Sequence, residues 1–312
     1  MGALVLNLAG CSVVSIAKGQ YYLNQHKYEQ GRAAFREELR KDPENARSRY
    51  YMGRLFLADD MAEKALPYLQ EAVRLSSGTA DYHFWLGVTW SALGNPQQEM
   101  DEYRTALKLN SRHVQARVYL GHALLEGQNF KEALQEYEDV LRFTPDHPAA
   151  LYNRALCLRR LHRKAEEKTA WLNYLELYDT GRLAAAAADH LNGLDDFSYR
   201  NHILGKRTVT LKNIRFEPFS SKPDSGSADS LRRLGYFLTA APGHTLHVLA
   251  YQAGNKSLAR ERALAVKKDI LRRFPALADD RIRISWFRVP EKVTAEKKTF
   301  RLEQSINVFA VK

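Results

Sequence analysis

Large and small apolar residues recur along the first half of the chain at a fixed spacing of 34 residues. The clearest unit covers residues 114–147, with Leu120, Gly121, Leu124, Phe130, Ala133, Tyr137 and Pro145. Thirty-four positions earlier stand Leu86, Gly87, Trp90, Gly94, Tyr103 and Ala106, and one step further back Met52, Gly53, Phe56, Ala65, Leu69 and Ala72. The register continues upstream through Gly19, Tyr22, Tyr28, Gly31, Phe35 and Pro43, and downstream through the weaker set Ala155, Leu158, Trp171 and Tyr174. Five units follow, at 12–45, 46–79, 80–113, 114–147 and 148–181. Each unit is expected to form two antiparallel helices, with Gly53, Gly87 and Gly121 on the first facing small residues such as Ala65 and Ala133 on the second. The alanine-rich stretch at 182–191 predicts a terminal helix, so 182–206 reads as cap and linker.

Beyond Asp195 and Asp196 the period shortens. Thr208–Leu211 and Ile214–Phe216 alternate like strand residues, and Phe219–Gly226 reads as a loop. A helix runs through Leu231, Leu234, Phe237 and Leu238, then a strand at Thr245–Tyr251 and a basic helix at 257–274. Strands at Ile282–Val289 and Leu302–Val311 complete a predicted β-α-β-α-β-β order over 207–312.

A lone helix pair cannot bury its apolar face, so pairs of this kind must stack on their neighbours. The 34-residue pattern resembles the tetratricopeptide repeat. That resemblance implies an α+β multidomain chain in which a right-handed superhelix of repeats precedes the smaller domain. It also implies a concave surface, built by the first helix of each pair, that binds peptide segments. The positions facing inward are then Arg47, Tyr50, Arg54, Asp81, Phe84, Val88, Gln115, Val118, His122, Tyr152 and Arg159, with Gln20 upstream. Tyr51, Trp85 and Tyr119 stand where chaperone-type members carry their carboxylate-clamping residues, which argues against chaperone tails as the ligand.

Charge divides the chain. Residues 12–181 hold 23 Lys and Arg against 23 Asp and Glu, whereas residues 182–312 hold 24 against 13, the whole of the +11 net charge. The C-terminal part is therefore suited to an anionic contact. There are two cysteines, Cys11 and Cys157, in unrelated contexts, so neither a disulfide framework nor a metal site is expected. Cys157 lies between Leu156 and Leu158 and reads as a buried thiol.

Residues 1–10 are apolar and end in Leu8-Ala9-Gly10 directly before Cys11, which resembles a bacterial lipobox. The resemblance implies a signal segment over residues 1–11 that ends at the lipobox Cys11, with lipidation of the Cys11 thiol and removal of the peptide that precedes it. It implies a protein anchored to a membrane by its lipid, with Ser12 favouring the periplasmic side of a Gram-negative outer membrane. Myristoylation at Gly2 is not expected, because Leu6 occupies the position that needs Ser or Thr. An unmodified Cys11 in an intracellular adaptor is the alternative.

Ile214-Arg215-Phe216, the strand Val248–Tyr251 and the run Asn255, Leu258, Arg262, Ala263, Val266 and Leu271 resemble the OmpA-like peptidoglycan-associated domain. In that family an Asp and an Arg hold the two charged ends of the cell-wall diaminopimelate. The Arg corresponds to Arg262, with Asn255 at the helix start, while Ala253 stands at the Asp position. Loss of that carboxylate leaves a ligand ammonium without its acceptor. Intact capture, a weak anionic cell-wall contact and a purely structural role all stay open.

No nucleophile elbow, phosphate-binding glycine loop or zinc-binding helix occurs, so neither catalytic residues nor cofactors are expected. Glu132, Glu136, Glu166 and Glu167 are spaced as helix-surface ion-pairing residues. The basic domain lacks the aromatic and glycine signatures of nucleic-acid modules. The reading is a non-enzymatic, periplasm-facing outer-membrane lipoprotein, a repeat scaffold or pilotin-like adaptor, similar to repeat lipoproteins of type IV and Tad pilus assembly. The alternative is a peptidoglycan tether acting through the C-terminal domain.

Overall fold

The computed structural model describes residues 15–312; Cys11 lies outside them. The chain divides into two compact units, Met1–Cys157 and Leu158–Lys312. In the first, α1 runs to residue 24, followed by α2 (Tyr28–Lys41), α3 (Ala46–Leu57), α4 (Ala62–Leu75), α5 (Ala80–Ala92), α6 (Pro96–Leu109), α7 (Val114–Glu126), α8 (Phe130–Phe143) and most of α9 (Pro148–Arg160). First helices begin at Ala46, Ala80, Val114 and Pro148, and second helices at Tyr28, Ala62, Pro96 and Phe130, each 34 residues after the last.

The same period is written into the backbone. His26, Asp60, Gly94, Gln128 and His162 all take positive φ, between 53° and 70°, at the turn between paired helices. At each turn the amide following this residue bonds five residues back, as in Asn95 N–H to Trp90 C=O (2.9 Å) and Asn129 N–H to Leu124 C=O (2.8 Å). This is the Schellman way of satisfying the last carbonyls of a helix. Helix starts are fixed by side chains: Asn45 accepts from Ser48 N–H and His113 from Ala116 N–H.

The glycines of the first helices do not face alanines, as the pattern implied. A Cβ on Gly53, Gly87 or Gly121 would lie 2.4–2.9 Å from Leu69, Tyr103 or Tyr137, so each glycine makes room for a large residue of the second helix. Leu69, Tyr103 and Tyr137 are fully buried as a result. Gly87→Ala gains about 1 kcal/mol of helix propensity but forces Tyr103 aside at a cost of about 1–3 kcal/mol. The expected net effect in thermal denaturation is a loss of stability. Gly78→Ala, with open space around its Cβ, is expected to be neutral or stabilising.

The second unit begins with α10 (Lys164–Leu177) and α11 (Gly181–Gly193) and continues through β1 (Tyr199–Leu204), β2 (Arg207–Lys212), α12 (Ala228–Ala240), β3 (Thr245–Gln252), α13 (Lys256–Arg273), β4 (Ile282–Phe287), β5 (Glu291–Ala295), β6 (Lys298–Leu302) and β7 (Gln304–Val311). The main sheet has the order β2-β1-β7-β3-β4, with β1 parallel to β7, β7 antiparallel to β3 and β3 parallel to β4; β5 and β6 form a separate hairpin. Its core joins Leu246, Val248 and Ala250 of β3 and Ile306, Val308 and Ala310 of β7 to Leu234 and Leu238 of α12 and to Ala263, Val266 and Ile270 of α13.

This corrects the β-α-β-α-β-β expectation. The segment read as linker up to residue 206 contains β1, and β5 and β6 were not foreseen. Phe216, read as strand, makes an isolated bridge to Pro223. Residues 182–206 are integral to the sheet unit: Asn201 on β1 donates to Ala185 C=O and Asp189 on α11, and Asn192 on α11 donates to Tyr199 C=O.

Strand β1 pairs with β7 only at Ile203 and Leu204. Where the strands part, Arg200 donates to both carboxylate oxygens of Glu291 (2.8 and 2.9 Å), which also accepts from Ser305 Oγ (2.6 Å) and Asn307 Nδ2 (3.0 Å). Arg200 and Glu291 are buried, so this network ties the β5–β6 hairpin to the sheet. His202 lies in the same gap, 3.2 Å from Val308 C=O, and burial pushes its imidazole down to about 4.

Candidate functional site

Two places carry the residues singled out by sequence. The first is the face made by α3, α5 and α7 in the repeat unit. Tyr50, Phe84 and Val118, expected to face a ligand, are instead buried at 6, 5 and 6% exposure. Tyr50 stacks on Tyr82 (4.8 Å between rings), and Phe84 packs against Trp85, Tyr103, His113 and Tyr119. These rings join one repeat to the next, and burial raises the Tyr50 hydroxyl well above the usual phenol range.

What remains accessible is Arg54, Trp85, Val88, Tyr119 and His122, with Arg47, Asp81, Gln115 and Tyr152 alongside. The Arg54 guanidinium lies over the Trp85 ring at 4.0 Å and donates to Tyr50 Oη at 3.1 Å. Its Nε is buried without a hydrogen-bond partner; among the described residues it forms no ion pair, and Asp81 acts on its charge from beyond ion-pair distance. Asp81 is held by His113 Nε2 at 3.0 Å, and this bond draws its carboxyl below the usual range. Since His113 Nδ1 accepts from Ala116 N–H, the ring is fixed with its proton on Nε2, aimed at Asp81. Tyr119 is 41% exposed and meets Phe84 edge-on, while burial lowers the His122 imidazole and raises the Tyr152 hydroxyl.

Arg159 falls in the second unit, where it pairs with Glu296 (2.8 Å) and Glu167 (3.3 Å), so its charge is spent within that unit. From sequence alone, Trp85 and Tyr119 stand only as residues that argue against a carboxylate clamp. In the structure Tyr119 is the exposed ring of the face and Trp85 a half-buried one beneath Arg54, and their signal is an aromatic residue at the same place in successive first helices, Tyr51, Trp85 and Tyr119.

The second place is a cleft of about 360 Å³ in the sheet unit, lined by Arg262 with Phe216, Phe219, Gln252, Leu258 and Gln304 among others. Arg262 is 5% exposed. It donates to Gln252 Oε1 (2.5 Å), Gln304 Oε1 (2.8 Å) and Ser220 C=O (3.1 Å), and its guanidinium lies 4.7 Å from the Phe216 ring centre. These acceptors are neutral, and burial lowers the guanidinium below its usual value. Asn255 is not among the lining residues: it caps α13, accepting from Leu258 N–H at 3.0 Å. Part of the basic face of α13 is internally paired, with Lys267 to Asp279 and Arg272 and Arg273 to Asp269. Glu136, read as ion-pairing surface, pairs with Arg117 (2.7 Å). Cys157 is buried and its thiol is pushed up to about 12 by that burial.

A family model described as tetratricopeptide repeat matches residues 16–80, 62–112, 101–148 and 120–176. These windows run without a gap from 16 to 176, and the chain belongs to the tetratricopeptide repeat family, a class of scaffold that presents stacked helix pairs to other proteins. Human tetratricopeptide repeat protein 6 is 26% identical over 134 residues, which cover 42% of this chain and 25% of that protein. The chain thus spans about a quarter of the length of this relative. Among solved structures, MamA is similar at a TM-score of 0.48 and 18% identity, over 55% of this chain and 96% of that one. MamA from Desulfovibrio magneticus RS-1 gives 0.45 and 23%, over 48% and 83%. YrrB, described as a tetratricopeptide repeat protein with an unusual peptide-binding site, gives 0.48 and 21%, over 54% and 87%.

Proposed function

We propose that this chain is a non-enzymatic adaptor, held by a lipid on Cys11 at the periplasmic side of an outer membrane, whose repeats receive a segment of another envelope protein. The observation that carries the adaptor reading is the accessible face of Arg54, Trp85, Val88 and Tyr119: a cation that forms no ion pair among the described residues, over the half-buried Trp85 ring, with the exposed Tyr119 ring on the same face. Aromatic rings and arginine are the side chains that concentrate binding energy at protein interfaces. Machinery that assembles a pilus or a secretion channel is the setting that this architecture resembles, and the adaptor acts there by binding, in a pilotin-like way.

The anchor is tested by membrane fractionation and metabolic labelling with palmitate. The native chain is expected in the outer-membrane fraction carrying label, and Cys11→Ser in the soluble fraction without it. An unlabelled, cytosolic native chain would overturn the membrane assignment.

A second reading is favoured by Arg262. A guanidinium buried beside a cleft and answered only by neutral oxygens suits a carboxylate ligand, because a charge-assisted pair offsets the cost of its burial. In this reading the sheet unit tethers the scaffold to peptidoglycan. Purified sacculi are expected to sediment the full chain, with Arg262→Ala losing most of the bound fraction and Ala253→Asp retaining or increasing it. Equal sedimentation of native and Arg262→Ala chains would remove the tether.

A further inference from the structure

A second cleft of the sheet unit, of about 730 Å³, shares no lining residue with the one at Arg262. It opens at the end of the sheet, where the β1–β2 turn, the last turn of α12 and the end of β7 meet. Leu204, Phe237, Ala240, Ala310 and Val311 form an apolar wall, of which Val311 is 46% exposed. Lys206, Arg207 and Lys312 stand at the same opening, and no Asp or Glu side chain lines it. The volume lies within the range of small-molecule sites, and apolar walls with a few charged groups at one side are their usual construction.

The helix end at this opening does not exclude an anion. The C-terminal end of α12 would oppose one through its unsatisfied carbonyls, but Arg281 donates to Leu238 C=O (3.0 Å), Ala241 C=O (2.9 Å) and His244 C=O (2.7 Å), which offsets that negative end. His244 is also in the lining. Its ring meets Phe237 edge-on at 5.6 Å. Gly205, at φ +63°, lies beneath the ring, where a Cβ would approach His244 Nε2 to 2.8 Å. A strongly hydrated anion such as inorganic phosphate gains nothing from the apolar wall, and a neutral hydrocarbon gains nothing from the cations Lys206 and Arg207.

We infer that this cleft binds a small amphipathic carboxylate of the fatty-acid type, its alkyl body against Phe237, Ala240 and Val311 and its carboxylate toward Lys206 and Arg207. The site is separate from the repeat face and from Arg262, so it stands independently of the functional reading above.

The test is a fluorescence titration of the full chain with cis-parinaric acid, with its methyl ester as the uncharged probe. The acid is expected to bind one molecule per chain and to be displaced by decanoate. The ester and the Lys206→Glu/Arg207→Glu double variant should each bind at least about tenfold more weakly. Ala240→Trp, at an exposed position on the last turn of α12, should fill the cleft and abolish binding. Absence of binding to the native chain, equal binding of acid and ester, or native-like binding by the Ala240→Trp chain would each overturn the assignment.

Discussion

Glu291→Leu is expected to cost the sheet unit about 3–5 kcal/mol, the loss typical of removing one partner from a buried ion pair. Arg200 would keep its charge at 6% exposure, with only the Ile306 carbonyl, at 3.4 Å, left to receive its Nη1. Ser305 Oγ and Asn307 Nδ2 would lose their acceptor at the same time. The effect is mechanical as well as electrostatic, since β1 and β7 share only two paired positions and the ion pair spans the gap where their ladder stops. Urea denaturation combined with hydrogen exchange should show β1, β5 and β6 losing protection before β3. The double variant Arg200→Met/Glu291→Leu should recover much of the loss, because two apolar side chains leave no uncompensated charge. Native-like protection in Glu291→Leu would mean that the hairpin is held by something else.

Arg54→Glu is expected to weaken the partner complex by at least about tenfold, roughly 1.4 kcal/mol or more, as an interface anchor would. The guanidinium serves the face in two ways: it lies over the Trp85 ring at 4.0 Å, and among the described residues no carboxylate forms an ion pair with it, Asp81 acting on it only from further away. Reversal to Glu removes the cation from the ring and repels any acid the partner brings. Arg54→Gln should fall between native and Glu, keeping the hydrogen bonding without the charge. Trp85→Ala should produce a loss of similar size, whereas Gln115→Ala, at an exposed position beside the face, should have little effect. Isothermal titration with the captured partner gives these differences directly. A native-like affinity in Arg54→Glu would place the interface elsewhere on the chain.

The repeats were legible because their physics is local and periodic. A glycine opposite a large residue, repeated at Gly53, Gly87 and Gly121, sets the register to the residue, and the observed helices begin where that register places them. The partner of each glycine was misread, since spacing identifies a small position without revealing which residue fills the space. The interior character of Tyr50, Phe84 and Val118 was hidden for a related reason. Their burial comes from the neighbouring repeat, through contacts such as Tyr50 with Tyr82 and Phe84 with Tyr119, and a pattern within one repeat does not contain it.

In the sheet unit the core strands β3, β4 and β7 stood out by their apolar alternation, whereas β1 reads as Tyr-Arg-Asn-His-Ile-Leu. Its burial depends on Glu291 and on the backbone of β7, far away in sequence. The β5–β6 hairpin gave no turn signal either. Glu296 and Lys297 take the two positive-φ positions, at 47° and 65°, that Asn-Gly or Gly-Gly usually occupy. His190 and Arg159 bind Glu296 and help hold that turn, again through contacts remote in sequence.

The central claim is that the Arg54–Trp85–Tyr119 face receives another protein. Its most direct test is a photoreactive amino acid placed at Tyr119 in the full chain, activated in growing cells, with a second probe at Glu132 on the exposed surface of α8 as the comparison. The account predicts that Tyr119 forms an adduct with one discrete protein species, that Arg54→Glu abolishes this adduct, and that Glu132 does not form it. An empty Tyr119 lane, or an adduct that persists unchanged in Arg54→Glu, would contradict it.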